Sequence, residues 1–88
     1  MPFEYDKNKS RENLDKHGID FEQAQELWLD ENAFEAKTPY TREERFTRTG
    51  RTGSKIWTAV FAPRGENIRI ISVRRAHAKE ERQYKSLE

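Results

Sequence analysis

The sequence contains no cysteine. Disulfides and thiolate metal sites are therefore excluded, and a reducing cytoplasm is the expected setting. No apolar run approaches the ~18 residues that a membrane helix needs. Met1 to Ser10 is polar and charged and does not read as a secretory leader. There is no internal repeat and no low-complexity tract, and 88 residues fit a single domain spanning 1–88. Phosphate-loop and dinucleotide fingerprints are missing, and Gly50-Arg51-Thr52-Gly53 is too short and turn-like to replace them. No serine sits in a nucleophile elbow. Two histidines without HExxH spacing argue against zinc. No cofactor and no metal are expected, so any catalysis would be built from Arg, Lys, His, Glu and Tyr.

Net charge is also nearly absent: 17 Lys+Arg stand against 16 Asp+Glu, giving +1. The balance conceals an asymmetry. Residues 1–41 carry 5 basic and 10 acidic side chains, and residues 42–88 carry 12 and 6. A basic half suggests a polyanionic partner. The competing reading is a solvated surface of mixed charge.

What is present follows an α+β pattern. Pro2-Phe3-Glu4-Tyr5 alternates as a short first strand. Asp6 is placed to cap a helix over 7–17, which Gly18 would end in the left-handed conformation. Ser10, Leu14 and His17 give that helix a thin stripe. Asp20 and Gln23 resemble a capping box, and Phe21, Ala24, Leu27 and Trp28 predict a second helix over 21–29. Ala33 to Ala36 is a candidate edge strand, and Thr38 to Glu43 reads as a loop. The period then changes to two. Strands are predicted at Arg45–Thr49, Ile56–Ala62 and Ile68–Val73, with turns at 50–54 and 63–67. Ala76 to Leu87 is rich in helix formers. The expectation is an antiparallel sheet of three to four strands, an N-terminal two-helix segment and a C-terminal helix, with the helices on one face. Trp28, Trp57 and Phe61 read as core.

Candidate chemistry gathers on the last strand, Ile68-Arg69-Ile70-Ile71-Ser72-Val73-Arg74-Arg75. Regular alternation puts Ser72 and Arg74 on one face, and Arg69, Val73 and Arg75 on the other. Arginine suits phosphate because its planar fork donates two parallel hydrogen bonds. Arg45, Arg48, Arg51, Arg64 and Lys55 could extend a basic surface, or the arginines could simply pair with glutamates of the acidic helices. His17 beside Lys16 could act as a general acid or base near neutral pH, or merely cap the helix. Glu44 could act as a base or pair with an arginine. Tyr84 could be a catalytic phenol or helix–sheet packing. One reaction class suits a small basic surface. RNA supplies its own nucleophile, the 2′-OH, so a protein needs a base, cations for the phosphorane charge and an acid for the 5′ oxygen.

These residues resemble the BrnT family of toxins from type II toxin–antitoxin systems. The resemblance runs through Phe3-Glu4-Tyr5-Asp6 with Lys9 and Asn13, Lys16-His17-Gly18-Ile19-Asp20-Phe21-Glu22-Gln23-Ala24, and Glu43-Glu44-Arg45-Phe46 leading to Gly50-Arg51. It closes with Ile68-Arg69-Ile70-Ile71-Ser72-Val73-Arg74-Arg75-Ala76, followed by Glu80 and Tyr84. It implies a RelE-like fold and a ribonuclease that cuts RNA and arrests translation. It also implies a cognate antitoxin of the BrnA kind, through which DNA would be bound indirectly. The functional positions it implies are Lys16, His17, Glu44, Arg45, Arg51, Arg69, Arg74, Arg75 and Tyr84. In that scheme Arg74 and Arg75 grip the scissile phosphate, and Arg45, Arg51 and Arg69 hold flanking phosphates. His17 or Glu44 is the base, supported by Lys16 or Tyr84. The sequence departs from the pattern in three places. Tyr5 stands where Trp is common, 38–42 lacks an acidic, His-containing loop, and Glu81 occupies a position that is often basic.

Overall fold

The computed structural model describes residues 2–39 and 42–88, so the middle of the expected loop, Tyr40 and Thr41, lies outside the described residues. In chain order the elements are β1 (Phe3–Glu4), α1 (Lys7–His17), α2 (Phe21–Ala24), a 3₁₀ helix (Gln25–Leu29), β2 (Phe34–Lys37), β3 (Phe46–Thr52), β4 (Lys55–Arg64), β5 (Asn67–Arg75) and α3 (Ala78–Leu87). Among the described residues the strands form one five-stranded sheet of order β1-β5-β4-β3-β2.

Two expectations about the sheet are corrected. It is mixed, because β1 pairs parallel with β5 (Phe3 opposite Ile68, Glu4 opposite Arg69) while the other pairs are antiparallel. The long connection through α1 to β4 is what permits a parallel return. The helices also occupy both faces. Trp57 and Ala59 of β4 pack with Ile19, Phe21, Ala24 and Leu27. Thr58, between them and so pointing the other way, donates to Glu80 of α3.

The main core lies under α2 and the 3₁₀ helix. Ile19, Ala24, Leu27, Ala59 and Val73 are fully buried there. Trp28 makes edge contacts with Phe3 at 5.2 Å and Phe61 at 5.1 Å, closing one end of the core. The expected helix over 21–29 tightens after one turn, with the Gln25 N–H turned back to Glu22 and Gln23 carbonyls. Three residues per turn puts Ala24 directly under Leu27, and both are buried completely.

Helix α1 has the expected bounds. Asp6 accepts from the Asn8 and Lys9 N–H groups, and Gly18 takes φ +84°. Its packing stripe keeps Ser10 but departs at Leu14, which is 44% exposed, and takes Asn13 instead; both Ser10 and Asn13 are buried. The reason is backbone satisfaction. Ser10 Oγ accepts from the Phe21 N–H. The Asn13 side chain donates to the Ile19 and Val73 carbonyls and accepts from the Val73 N–H. β1 covers β5 only at Ile68 and Arg69, so Asn13 supplies the pairing that a longer edge strand would give.

The hairpin strands outrun their predicted bounds. Gly50, Arg51 and Thr52 belong to β3, opposite Trp57, Ile56 and Lys55, and the turn is reduced to Gly53-Ser54. Gly50 is a packing glycine: a Cβ there would stand 3.1 Å from both Ala33 Cβ and Asp30 Oδ2. The second turn shortens likewise to Gly65-Glu66. α3 begins two residues late, because the Ala76 N–H still bonds to the Ile56 carbonyl of β4.

Candidate functional site

A β-bulge sets the geometry of β5. Val60 faces Ser72 and Phe61 faces Ile70, which leaves Ile71 as an extra residue. The shift overturns the alternation expected from the sequence. Arg69, opposite Ala62, falls on the same face as Ser72 and Arg74, opposite Val60 and Thr58. Val73 and Arg75 turn to the face packed by α2 and the 3₁₀ helix, with Ala59 and Trp57. Arg75 lies 5.5 Å over the Trp57 ring and is exposed.

Arg74 is held in a fork by Glu80, at 2.8 Å from NH1 to Oε1 and 3.1 Å from NH2 to Oε2. Glu80 Oε1 also accepts from the His77 N–H and from Thr58 Oγ1. Because the Thr58 hydroxyl donates to Glu80, its 2.8 Å bond with Thr49 must be donated by Thr49. A buried chain, Thr49 to Thr58 to Glu80, thus fixes the carboxylate that fixes Arg74. Burial alone would raise the Glu80 pKa. The Arg74 fork, the His77 N–H and the Thr58 hydroxyl outweigh it and bring it down to about 2.

Tyr84, one turn after Glu80, is 2% exposed and donates to Asp30 Oδ2 at 2.6 Å. Burial first, and then that bond to a carboxylate, push its phenol up to about 12. Asp30 also accepts from the Arg51 N–H, beyond the end of the β2 ladder. Burial opposes its charge, but donors from Tyr84, Arg51 and Asn32, with Arg48 nearby, hold its pKa below the ordinary value. The Arg51 guanidinium stands 5.6 Å over the Tyr84 ring, bonds to Glu88 and leaves its buried Nε without a partner. The adjoining cleft, about 550 Å³, is lined by Glu26, Asp30 and Glu88 as well as Arg51, an acidic surround that disfavours phosphate.

The remaining candidates occupy other places. Glu43 joins Arg69 at 2.7 Å and Arg45 at 3.2 Å. Glu44 is exposed and pairs with Lys37. Lys16 and His17 open onto a cleft shared with Ile71 and Ser72. The expectation that the basic half forms a single sheet surface is therefore not met. Arg48 and Arg75 lie on the face packed by α2 and the 3₁₀ helix, and Arg51, Arg69 and Arg74 on the face that carries α3. Arg48, Arg51, Arg69 and Arg74 each contact a glutamate. None of these glutamates comes from the two N-terminal helices; they belong to β2, α3 and the flanking segments.

A family model described as the ribonuclease toxin BrnT of type II toxin–antitoxin systems matches residues 5–80. The chain belongs to the BrnT family. A search of curated proteins found no match. Within this BrnT chain the match runs from Tyr5, just after β1, into the first turn of α3; it includes Glu80 but ends before Tyr84. In the sequence Glu80 figures only as part of the family resemblance, without its grip on Arg74. The signal was available: Glu80 stands three residues after His77, at the position from which a side chain returns to the helix N-terminus. The links of Asp30 to Arg51 and Tyr84, and of Glu43 to Arg69, had no such local signature, since these partners are 21 to 54 residues away. No helix among the described residues is long and apolar enough to cross a membrane.

Proposed function

We propose that the chain is a metal-independent endoribonuclease that cleaves RNA by transesterification and thereby inhibits translation, acting in the cytoplasm. The observation that carries this reading is the bulge-aligned face on which Arg69, Ser72 and Arg74 stand together, with Lys16 and His17 opening onto Ser72. Arg74, fixed by Glu80, is the cation for the phosphorane. His17 is the base that takes the 2′-OH proton. The 2′ oxygen then bonds to phosphorus, the 5′ oxygen leaves, and a proton from Lys16 or solvent completes the alcohol. Arg45 and Arg69 hold flanking phosphate. Arg51 and Tyr84 act at one remove, stabilising the seat of α3. Glu44 and Arg75 lie outside this arrangement, paired with Lys37 and stacked on Trp57. A BrnA-type antitoxin is the expected protein partner, with DNA reached through that complex.

The test is incubation of the purified chain with RNA in EDTA. Products ending in 2′,3′-cyclic phosphate and 5′-hydroxyl are expected. A folded protein that cuts nothing under any condition would overturn the reading. The pairing of Arg48, Arg51, Arg69 and Arg74 with glutamates favours a second reading, a binding module without catalysis. It predicts salt-sensitive RNA binding and no product.

A further inference from the structure

Two clefts adjoin along the open side of β5. One, about 200 Å³, is lined by Asp6, Lys9, Arg45, Arg69 and Ile71. The other, about 270 Å³, includes Lys9, Glu12, Lys16, His17, Ile71 and Ser72. They share Lys9 from the first turn of α1 and the bulged Ile71 of β5. We propose that the two clefts form one track for the phosphate backbone of single-stranded RNA, with Lys9 as its middle contact. The proposal rests on RNA being the ligand of this face and assigns the path by which the strand approaches Arg74.

The lining supports a polyanion. Lys9, Lys16, Arg45 and Arg69 are basic side chains, with His17 at one end. Lys9 and Lys16 are exposed and form no ion pair among the described residues. Three carboxylates lie close, and two are engaged. Asp6 accepts from the Asn8 and Lys9 N–H groups, and Glu43 bridges Arg45 and Arg69. Glu12 is the third.

The dimensions agree. Lys9 to Lys16 spans about 10 Å at 1.5 Å per helical residue. Arg69 to Ser72 spans about 10 Å of strand. The track is therefore long enough for more than one phosphate, and its cations position the strand without reading bases. The bulge is what creates it, because Ile71 forms the shared wall and Arg69 turns to the face of Ser72 and Arg74.

Binding of the full chain to a 2′-O-methyl oligoribonucleotide, which lacks the attacking hydroxyl, tests the track apart from catalysis. Lys9→Ala is expected to reduce the slope of log affinity against log salt by about 0.7, the share of one single-strand phosphate contact. Lys9→Arg should restore it, and Lys79→Ala on exposed α3 should leave it unchanged. On cleavable RNA, Lys9→Ala should raise KM and spare kcat. A wild-type slope for Lys9→Ala, alongside a reduced slope for Arg69→Ala, overturns the track, since the strand then does not pass α1. Unchanged slopes for both variants with cleavage intact also overturn it, while the ribonuclease reading stands. Lys9-dependent binding without cleavage of ordinary RNA supports the track and defeats the ribonuclease reading. Failure to bind RNA, together with Lys9-dependent binding of an acidic peptide, assigns the groove to a protein partner and overturns the proposal.

Discussion

Glu80 receives three donors on one oxygen and a second nitrogen of Arg74 on the other. Its carboxylate, down at about 2 from an ordinary 4.5, makes a contribution to stability that is complete above about pH 4.5. That contribution is lost as pH falls from 4.5 through 2, where the folded form is protonated. The whole shift would correspond to ~3 kcal/mol. Screening at this partly exposed pair reduces the expectation to about 1–2 kcal/mol. Chemical denaturation of the wild type and Glu80→Gln should show a gap of that size at neutral pH, closing towards pH 2. A gap independent of pH would assign the effect to packing. At Arg74 the planar fork matters as well as the charge. Arg74→Ala is expected to slow RNA cleavage about 10²–10³-fold, and Arg74→Lys should recover little, because an ammonium cannot make both bonds of the fork. Cleavage at saturating RNA, with folding checked by circular dichroism, measures this.

Among the elements, α1 and β5 depend on each other through one side chain. Asn13 completes the backbone of β5 where β1 stops, so Asn13→Ala leaves Val73 and Ile19 groups unpaired in a buried place. Each such group costs about 1–3 kcal/mol, and amide exchange at Val73 should accelerate well beyond that of the rest of β5. Gly50→Ala tests the same face of the sheet two strands away, on β3. The new methyl would press on Ala33 and on an Asp30 already tied to Tyr84 and Arg51, and a loss of about 1–3 kcal/mol is expected in thermal or denaturant unfolding. The bounds of α1 were legible because Asp6 and Gly18 act within a few residues of the helix they limit. Its buried stripe was not, because Asn13 answers to Val73, 60 residues away. The hairpins were legible as strands but too short, since Gly50 looks like a turn residue until Ala33 and Asp30 stand against it.

At the scale of the whole molecule, the opposing charges of the two halves do not become two surfaces. Arginines appear on both faces of the sheet and find glutamates locally. Such partly exposed pairs contribute little to folding and are screened by salt, whereas contacts to RNA phosphates release counterions. Raising salt from about 50 to 200 mM should therefore hardly move the unfolding midpoint but should weaken RNA binding steeply. Parallel melting and binding series in the same buffers would show it, and a salt-insensitive affinity would place the ligand elsewhere than on these cations. The sequence by itself determined the α+β class, the caps of α1, the presence of the central strands and the residues shared with the BrnT family. All of these depend on neighbours along the chain or on residue type. Only the tertiary structure decided which arginines share a face. Side-chain direction in a strand alternates with period two, so the single extra residue at Ile71 moves Arg69 from one side of the sheet to the other. That insertion is recorded in the register between β4 and β5, not in the composition of either strand.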